Sequence, residues 1–209
     1  MSYLIEKIKK DLAANNLEIR TRESRNWLKT HLANIRVNRP RFIKDKDNKF
    51  VRVIFPGKMY FYFYDPKLKD ELPFYDRFPL VIPIKRYNDG FLGINLHYLP
   101  PKIRIILLDK LYAVLNNERY DESTKLRLSY NLLDGTQRFK EFRPCLKRYL
   151  TKHIESRIVE IPFNDWEIVS FLPSEYFVGA RKATVQRESM QQILNLSKDP
   201  YKEEKQNDF

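Results

Sequence analysis

The chain has 209 residues, of which 39 are Lys or Arg and 27 are Asp or Glu, so its formal net charge is +12. Apolar residues make up 43% of it, and a chain of this length buries roughly 70% of its unfolded surface, which excludes a coreless disordered protein. The opening residues carry frequent charges and contain no apolar run near the ~20 residues of a membrane helix, so we expect neither an export signal nor a membrane partner. The lone Cys145 excludes an internal disulfide and a thiolate metal cage.

The positive charge is concentrated in two segments. Residues 20–58 carry a net charge of +9 and residues 138–157 carry +5, whereas residues 59–137 carry +1. Two dense basic patches beside a nearly neutral middle produce a local field that attracts polyanions. The pattern favours a nucleic-acid partner; the alternatives are an acidic protein surface and two solvated faces without a binding role.

The first basic segment follows a short amphipathic helix. Residues 3–15 place Leu4, Ile5, Ile8 and Leu12 at helical spacing, and residues 20–36 predict a second helix with cations along one side. Pro40 should end the helical pattern. Six residues constitute what we call the amino-terminal ridge, a candidate for phosphate contact: Arg22, Arg25, Lys29, Arg36, Arg39 and Arg41.

From Arg41 to Leu99 the apolar period changes from 3.6 to 2, which is typical of β structure. Residues 41–55 predict a hairpin with its turn at residues 46–49. Two further strands, 80–85 and 91–99, are joined by a predicted tight turn at residues 87–90. In the run that contains Tyr60, Tyr62 and Tyr64, the intervening positions are also apolar, so both faces of that strand must be covered.

Helical patterns return after Pro100–Pro101, where an apolar stripe from Ile103 to Leu115 predicts a secure helix. Further helices are predicted at residues 121–133, 143–154 and 180–196, a strand at 157–161, and a short helical turn capped by Asn164 or Asp165. The expected fold class is α+β, with a small antiparallel curled sheet or an SH3-like barrel. Its core domain is residues 41–178, preceded by a basic helical extension (1–40) and followed by a helix and polar tail (179–209).

A second basic group lies on the predicted helix 143–154 and consists of Arg143, Lys147, Arg148 and Lys152. Cations of this kind neutralise phosphates without reading sequence. Tyr60, Tyr62 and Tyr64 suggest a stacking platform for unpaired bases, although packing in a two-sided core strand is the interpretation that their apolar neighbours favour.

The sequence contains no convincing catalytic arrangement, and we expect a protein without enzymatic activity or cofactor. Its five glycines form no phosphate loop, and the three histidines lie in separate predicted elements, where structural roles are favoured. Basic neighbours of Cys145 would lower its thiol pKa, but without a nearby histidine it is interpreted as a packing residue. Four acids suggest a two-metal nuclease, but they lie in a Pro-containing loop with compensating lysines and are interpreted as solvated: Asp65, Asp70, Glu71 and Asp76.

Residues 55–115 and 160–178, with their aromatics, prolines and the block GFLGINLHYLPP, resemble small virion proteins of T-even tailed phages. The resemblance is to the DNA end protector, or head-completion, group. It implies a non-enzymatic protein of the virion, present in the host cytoplasm during assembly, that shields the ends of packaged linear duplex DNA beside other virion structural proteins. It supplies no residue-level DNA contacts. The alternative is a phage tail, neck or baseplate assembly protein that acts through protein–protein contacts.

Overall fold

A computed structural model describes residues 3–115, 119, 131–132, 135 and 140–198. The predicted helix at 121–133 lies almost entirely outside these residues, and so does the polar tail beyond residue 198. The helices are α1 (Tyr3–Ala14), α2 (Arg22–Leu32), α3 (Arg39–Lys44), α4 (Pro101–Leu115), α5 (Trp166–Phe171) and α6 (Lys182–Lys198). The strands are β1 (Lys49–Val51), β2 (Met59–Phe61), β3 (Tyr75–Asp76), β4 (Leu80–Tyr87), β5 (Gly90–Asn95), β6 (Leu146–Leu150), β7 (Ile158–Ile161) and β8 (Phe177–Val178).

Six of the strands form one antiparallel sheet in the order β1-β7-β2-β4-β5-β6, and β3 pairs with β8 separately. The predicted turn at 87–90 is confirmed, because Tyr87 pairs with Gly90 where β4 returns as β5. The α+β class is confirmed. Of the two expected architectures, the structure has the open curled sheet: β1 and β6 are its edges, and no pairing between them closes a barrel.

Both faces of the sheet are covered, as the two-sided strand requires. Met59 and Phe61 enter the main core together with α4 and α5, whereas Tyr60 faces the other side. There, Tyr60, Tyr62 and Tyr64 pack with residues of the neighbouring strands in a smaller cluster, which we call the tyrosine cluster. Its remaining buried members are Ile54, Val81, Phe91, Tyr149 and Ile158.

The helices near both ends of the chain belong to the main core. Ile5, Ile8 and Leu12 of α1 are buried against it, as is Val185 of α6. Helix α2 begins at a Thr21 cap, whose hydroxyl accepts a hydrogen bond of 3.2 Å from the Ser24 amide. The apolar stripes predicted for these helices are therefore covered mainly by the chain itself.

The predicted hairpin over residues 41–55 is wrong. Arg39–Lys44 is helical instead, because the Asn38 side chain caps it with a 3.0 Å bond from the Arg41 amide and Pro40 occupies the first turn, where its missing amide hydrogen costs nothing. The following strand β1 pairs with β7, more than 100 residues further along the chain. The predicted helix at 20–36 is also too long, since α2 ends at Leu32.

The predicted helix at 143–154 is wrong as well. Pro144 lies in a 3-10 turn at Lys140–Cys145, residues 146–150 form strand β6, and a second 3-10 turn follows at Thr151–His153. Pairing with β5 fixes the strand, from Ile94 opposite Leu146 to Gly90 opposite Leu150. Lys147, Arg148 and Lys152 consequently lie along a sheet edge and its adjoining turn, and not on one helix face.

Candidate nucleic-acid interface

The residues of the amino-terminal ridge fall into two groups, those that bond to other parts of the protein and those that are exposed. The Arg25 guanidinium donates a 2.8 Å hydrogen bond to Glu167 and also pairs with both carboxylate oxygens of Asp109. Glu167 is fully buried, and burial raises the pKa of its carboxyl, an effect that the Arg25 charge partly offsets. The charge of Arg25 is therefore balanced within the protein.

Arg39 is also used internally. Its guanidinium donates to the carbonyl oxygens of Ser174, at 2.8 Å, and Glu175, at 2.5 Å, and lies against the Tyr176 ring. Within the described chain, the remaining four ridge residues are exposed and have no carboxylate at ion-pair distance: Arg22, Lys29, Arg36 and Arg41. Arg36 and Arg41 border the same small surface cavity of about 150 Å³. DNA contact at the ridge stays a prediction.

The second basic group divides in a similar way. The Arg148 guanidinium lies on the Tyr87 ring, donates to the carbonyl oxygens of Phe91 and Tyr149, and pairs with Asp89. The Lys147 ammonium lies 4.3 Å from the centre of the Tyr98 ring, and burial lowers its pKa below the ordinary 10.5. Arg143 and Lys152 are exposed.

The structure also reveals a basic cleft that the sequence analysis missed. It lies where the β4–β5 hairpin approaches the segment after β1, and its volume is about 170 Å³. Arg52 enters from one side, Arg86 and Tyr87 from the other, and Thr151 from the turn after β6. Residues that follow both edge strands, Arg52 after β1 and Thr151 after β6, thus line one site, which we call the hairpin cleft.

Exposed cations and aromatic rings surround the hairpin cleft. Arg86 lies 5.7 Å from the centre of the Phe55 ring, and Lys85 lies 5.7 Å from that of Tyr87. Phe55 is 53% exposed and Tyr87 is 43% exposed. Three of the cations are exposed and have no described carboxylate at ion-pair distance: Arg52, Lys85 and Arg86. Arginines paired with exposed rings suit contacts to phosphates and unpaired bases.

The three tyrosines of the predicted stacking platform are unavailable to a ligand, which confirms the core-packing alternative. Tyr60 and Tyr62 are fully buried, and the Tyr64 hydroxyl accepts a 3.1 Å bond from the Leu150 amide. The Tyr60 hydroxyl accepts a 3.0 Å bond from the Phe55 amide, and burial raises its pKa to about 12.

The acids of the suspected nuclease loop do not converge. Asp65 pairs with Lys69 at 2.9 Å, Asp70 and Glu71 are exposed, and Asp76 is buried. Within the described residues, no group of three or more His, Cys, Asp or Glu side chains is arranged to hold a metal ion. The interpretation as a solvated charged loop fits Asp70 and Glu71 and is wrong for Asp76, which is buried because two backbone amides and the side chains of Asn95 and His97 bond its carboxylate.

Asp76, His97 and Ser174 form a buried polar network. The Asp76 carboxylate lies 2.6 Å from His97 Nδ1, and Ser174 Oγ lies 3.1 Å from His97 Nε2. This order of acid, imidazole and hydroxyl occurs in hydrolases, but His97 and Ser174 are 0% and 1% exposed, so a substrate cannot reach the hydroxyl. The structural role predicted for His97 is confirmed.

Cys145 is likewise a core residue, as predicted. Its side chain is completely buried, and its thiol donates to the Phe142 carbonyl oxygen at 2.8 Å. Burial raises the pKa of the thiol, and the positive charge of Lys147 offsets this only in part. The basic neighbours therefore do not activate it.

Comparison with known families identifies a viral DNA-binding class. The model of a family described as the phage T4 terminal DNA protecting protein matches residues 2–193. The chain therefore belongs to this family, which confirms the predicted protection of DNA ends and does not favour the tail or baseplate alternative. No curated protein and no solved structure matches the chain. In the part of the chain that the structure describes, no helix is long and apolar enough to cross a membrane.

Proposed function

We propose that this protein covers the end of linear phage DNA through electrostatic contacts with the sugar–phosphate backbone and acts without making or breaking a bond. Membership of the terminal DNA protecting family supports the role. A protein that must cover a terminus of any sequence needs backbone contacts, which position the protein but carry no base specificity.

The hairpin cleft is the principal contact surface in this proposal. The observation that carries the assignment is that Arg52, Lys85 and Arg86, which are exposed and have no described carboxylate partner, lie together with the exposed rings of Phe55 and Tyr87. Arg25 of the ridge is instead balanced by Glu167 and Asp109. A cation without a partner can neutralise a phosphate and release the counterions condensed on the DNA. A cation that is already paired must first break its ion pair, which costs free energy.

The exposed members of the two predicted basic groups extend this surface. Lys152 belongs to the turn after β6 that contributes Thr151 to the cleft, and Arg148 borders the cleft through Tyr87. The ridge residues Arg22, Lys29, Arg36 and Arg41 form a separate candidate patch around α2 and α3. Separate variants therefore test the two surfaces.

The test is equilibrium binding to a linear duplex of mixed sequence, measured by fluorescence anisotropy between 50 and 200 mM salt. Wild-type affinity should fall at least tenfold over this range, given several phosphate contacts. The variant Arg52→Ala/Lys85→Ala/Arg86→Ala should bind more weakly at 50 mM salt and lose up to about three units of the salt slope. Affinity that is independent of salt would refute the proposal.

A matched control removes three charges elsewhere. Lys102→Ala/Arg181→Ala/Arg187→Ala lies on and beside the helices α4 and α6, which cover the opposite face of the sheet. It should keep the wild-type salt slope. A ridge variant, Arg22→Ala/Lys29→Ala/Arg36→Ala, would weaken binding more than the cleft variant only if the ridge were the principal surface, and this result would overturn the assignment to the hairpin cleft.

The proposed role is structural, in the virion and beside other virion proteins, with the host cytoplasm as the place of assembly. Purified protein incubated with linear DNA and Mg²⁺ or Mn²⁺ should leave the DNA intact and should delay its digestion by an added exonuclease. Cleavage that is lost in Asp65→Ala would contradict the non-enzymatic role. Cross-linking within intact particles should recover the chain with the DNA terminus and neighbouring subunits.

A further inference from the structure

A second concave site lies at the free edge of the sheet, beside β6. It is a groove of about 340 Å³ between β6 and the segment from Pro66 to Asp76, and we call it the aromatic groove. Five rings line it, those of Tyr64, Phe74, Tyr75, Tyr98 and Tyr149. Phe74 and Tyr75 are partly exposed, whereas Tyr64, Tyr98 and Tyr149 are at most 5% exposed. Pockets for small molecules span about 300–1,000 Å³, so the groove suits one nucleotide and cannot admit a duplex.

The polar groups of the groove favour an anionic ligand. The Lys147 ammonium lies over Tyr98, and Lys147 is partly buried and has no described carboxylate at ion-pair distance. Arg148 and the exposed Lys67 also line the groove. An ammonium withdrawn from water without a counter-ion is costly, and a phosphate placed over Tyr98 would supply that counter-ion.

The carboxylate among the lining residues, that of Asp76, is already saturated. Its Oδ1 accepts bonds of 3.1 Å from the Phe78 and Tyr176 amides, and its Oδ2 is bonded to the side chains of Asn95 and His97. Asp76 is also 4% exposed, so little of its charge faces the groove. The accessible charge of the groove is therefore positive.

We propose that the aromatic groove binds one unpaired nucleotide at the DNA terminus, with its base stacked against the partly exposed rings of Phe74 and Tyr75 and its phosphate at Lys147. This inference rests on the proposed function and explains why the protein binds DNA ends in preference to the interior of a duplex. Backbone contacts are the same along the whole duplex, whereas a terminal or overhanging base enters a pocket at little unpairing cost. Stacking is tolerant of sequence because every base has a π-face.

The connection between the two sites supports this geometry. Arg148 lines the aromatic groove and lies on Tyr87, which lines the hairpin cleft, while the consecutive residues Leu150 and Thr151 line the groove and the cleft respectively. The sites are thus on either side of the β6 edge. A duplex held at the hairpin cleft can direct its terminal nucleotide over that edge into the groove.

The experiment compares the affinity of the full chain for four duplexes: blunt, with a short 3′ overhang, with a short 5′ overhang, and with the overhang bases replaced by abasic residues. One overhang polarity should bind at least fivefold more tightly than the blunt and abasic duplexes, because stacking of one base corresponds to a factor of roughly five to a hundred. A 2-aminopurine base in that overhang should lose fluorescence when bound.

Two variants, each with a matched control, locate the effect. Tyr75→Leu removes a groove ring, and Tyr176→Leu removes a 42% exposed ring that does not line the groove. Leu68→Asp places a negative charge at the groove rim. Its control, Leu194→Asp, places the same charge on α6, away from the groove, at a similarly exposed position. The ratio of overhang to blunt affinity should fall towards one in Tyr75→Leu and Leu68→Asp. It should stay at the wild-type value in the controls Tyr176→Leu and Leu194→Asp.

Three results would overturn the inference. Equal affinity for all four duplexes would show that the groove takes no base, although salt-dependent binding to them would leave the proposed function standing. An overhang preference that survives both Tyr75→Leu and Leu68→Asp would place the base elsewhere. Loss of a wild-type dimer in Leu68→Asp, by sedimentation, with the preference intact would assign the groove to a second copy of this chain. Absence of binding to any duplex would instead refute the proposed function.

Discussion

Arg25 Nε donates a 2.8 Å hydrogen bond to the Glu167 carboxylate and thereby joins α2 to α5 inside the protein. Glu167 is 142 residues away in sequence, and the second partner, Asp109, lies 84 residues away. Arg25, which the sequence places on a basic helix face, thus links distant elements of the fold. Removing Arg25 should therefore mainly lower the stability of the protein.

We expect Arg25→Ala to lower the free energy of unfolding by about 3 kcal/mol, the lower end for a buried ion pair, because Glu167 would be left buried and uncompensated. Lys29→Ala, at an exposed position on the same helix, should change it by no more than about 0.5 kcal/mol. Urea denaturation measures both. Arg25→Ala/Glu167→Gln should recover part of the loss, and equal effects of Arg25→Ala and Lys29→Ala would contradict the assignment.

Asp76 should make the protein sensitive to acid. Burial alone would raise the pKa of Asp76, but the His97 ring and the hydrogen bonds from Asn95 and Tyr176 outweigh burial and hold the pKa below 3.8. The resulting stabilisation is complete above the unfolded pKa, and it is lost as pH falls from about 4 through the lower folded pKa.

Asp76→Ala tests this relationship. At pH 7 it should cost at least about 3 kcal/mol, because it removes the acceptor for two amides and two side chains. The difference between wild type and variant should shrink as pH falls below about 4, measured by thermal unfolding across pH 2.5–7. A difference that is constant across that range would show that the carboxylate charge does not matter.

Lys147 should cost stability in the free protein. Burial lowers its pKa below 10.5, so the folded state disfavours the charged ammonium at every pH below the lowered value. Lys147→Met keeps the volume and removes the charge, and it should raise the Tm at pH 7, by about 2–4 °C for each kcal/mol gained. The gain should diminish as pH rises towards 10.5. Lys152→Met, at an exposed site, serves as control and should leave the Tm nearly unchanged.

Two tyrosines of the tyrosine cluster should respond oppositely to removal of their hydroxyl groups. The Tyr62 hydroxyl is buried and has no hydrogen-bond partner among the described residues, so Tyr62→Phe should be neutral or stabilise the protein by up to about 1 kcal/mol. Tyr60→Phe deprives the Phe55 amide of its acceptor and should cost about 1 kcal/mol. Denaturant unfolding of the pair checks the signs, and a loss in Tyr62→Phe would reveal an unrecognised partner.

Local signals in the sequence were sufficient where the element depends on its own residues. The stripe from Ile103 to Leu115 and the Pro100–Pro101 start predicted α4, and the residues at 87–90 predicted the turn between β4 and β5. Strand β6 is different, because its alternation is short and its conformation depends on pairing with β5, more than 50 residues earlier. Long-range pairing of this kind overrides a weak helical pattern.

The sequence predicted that the candidate site is basic, but it did not predict which residues lie together. Summing charge along the chain identifies the segment that holds Arg52, yet it hides Lys85 and Arg86 in a nearly neutral stretch. Arg52 and Arg86 line one cleft because the fold brings the β4–β5 hairpin beside the segment after β1, which no local pattern encodes. The same limitation explains why Arg25 and Arg39 were grouped with exposed cations, since their partners come from distant elements.

The buried thiol of Cys145 bears on the chemical durability of the protein. Air oxidation and disulfide exchange require an accessible thiolate, and Cys145 is completely buried with a raised thiol pKa. Two folded copies therefore cannot become covalently linked through sulfur. A protein of this design keeps its thiol reduced in an aerated solution without any reductant to maintain it.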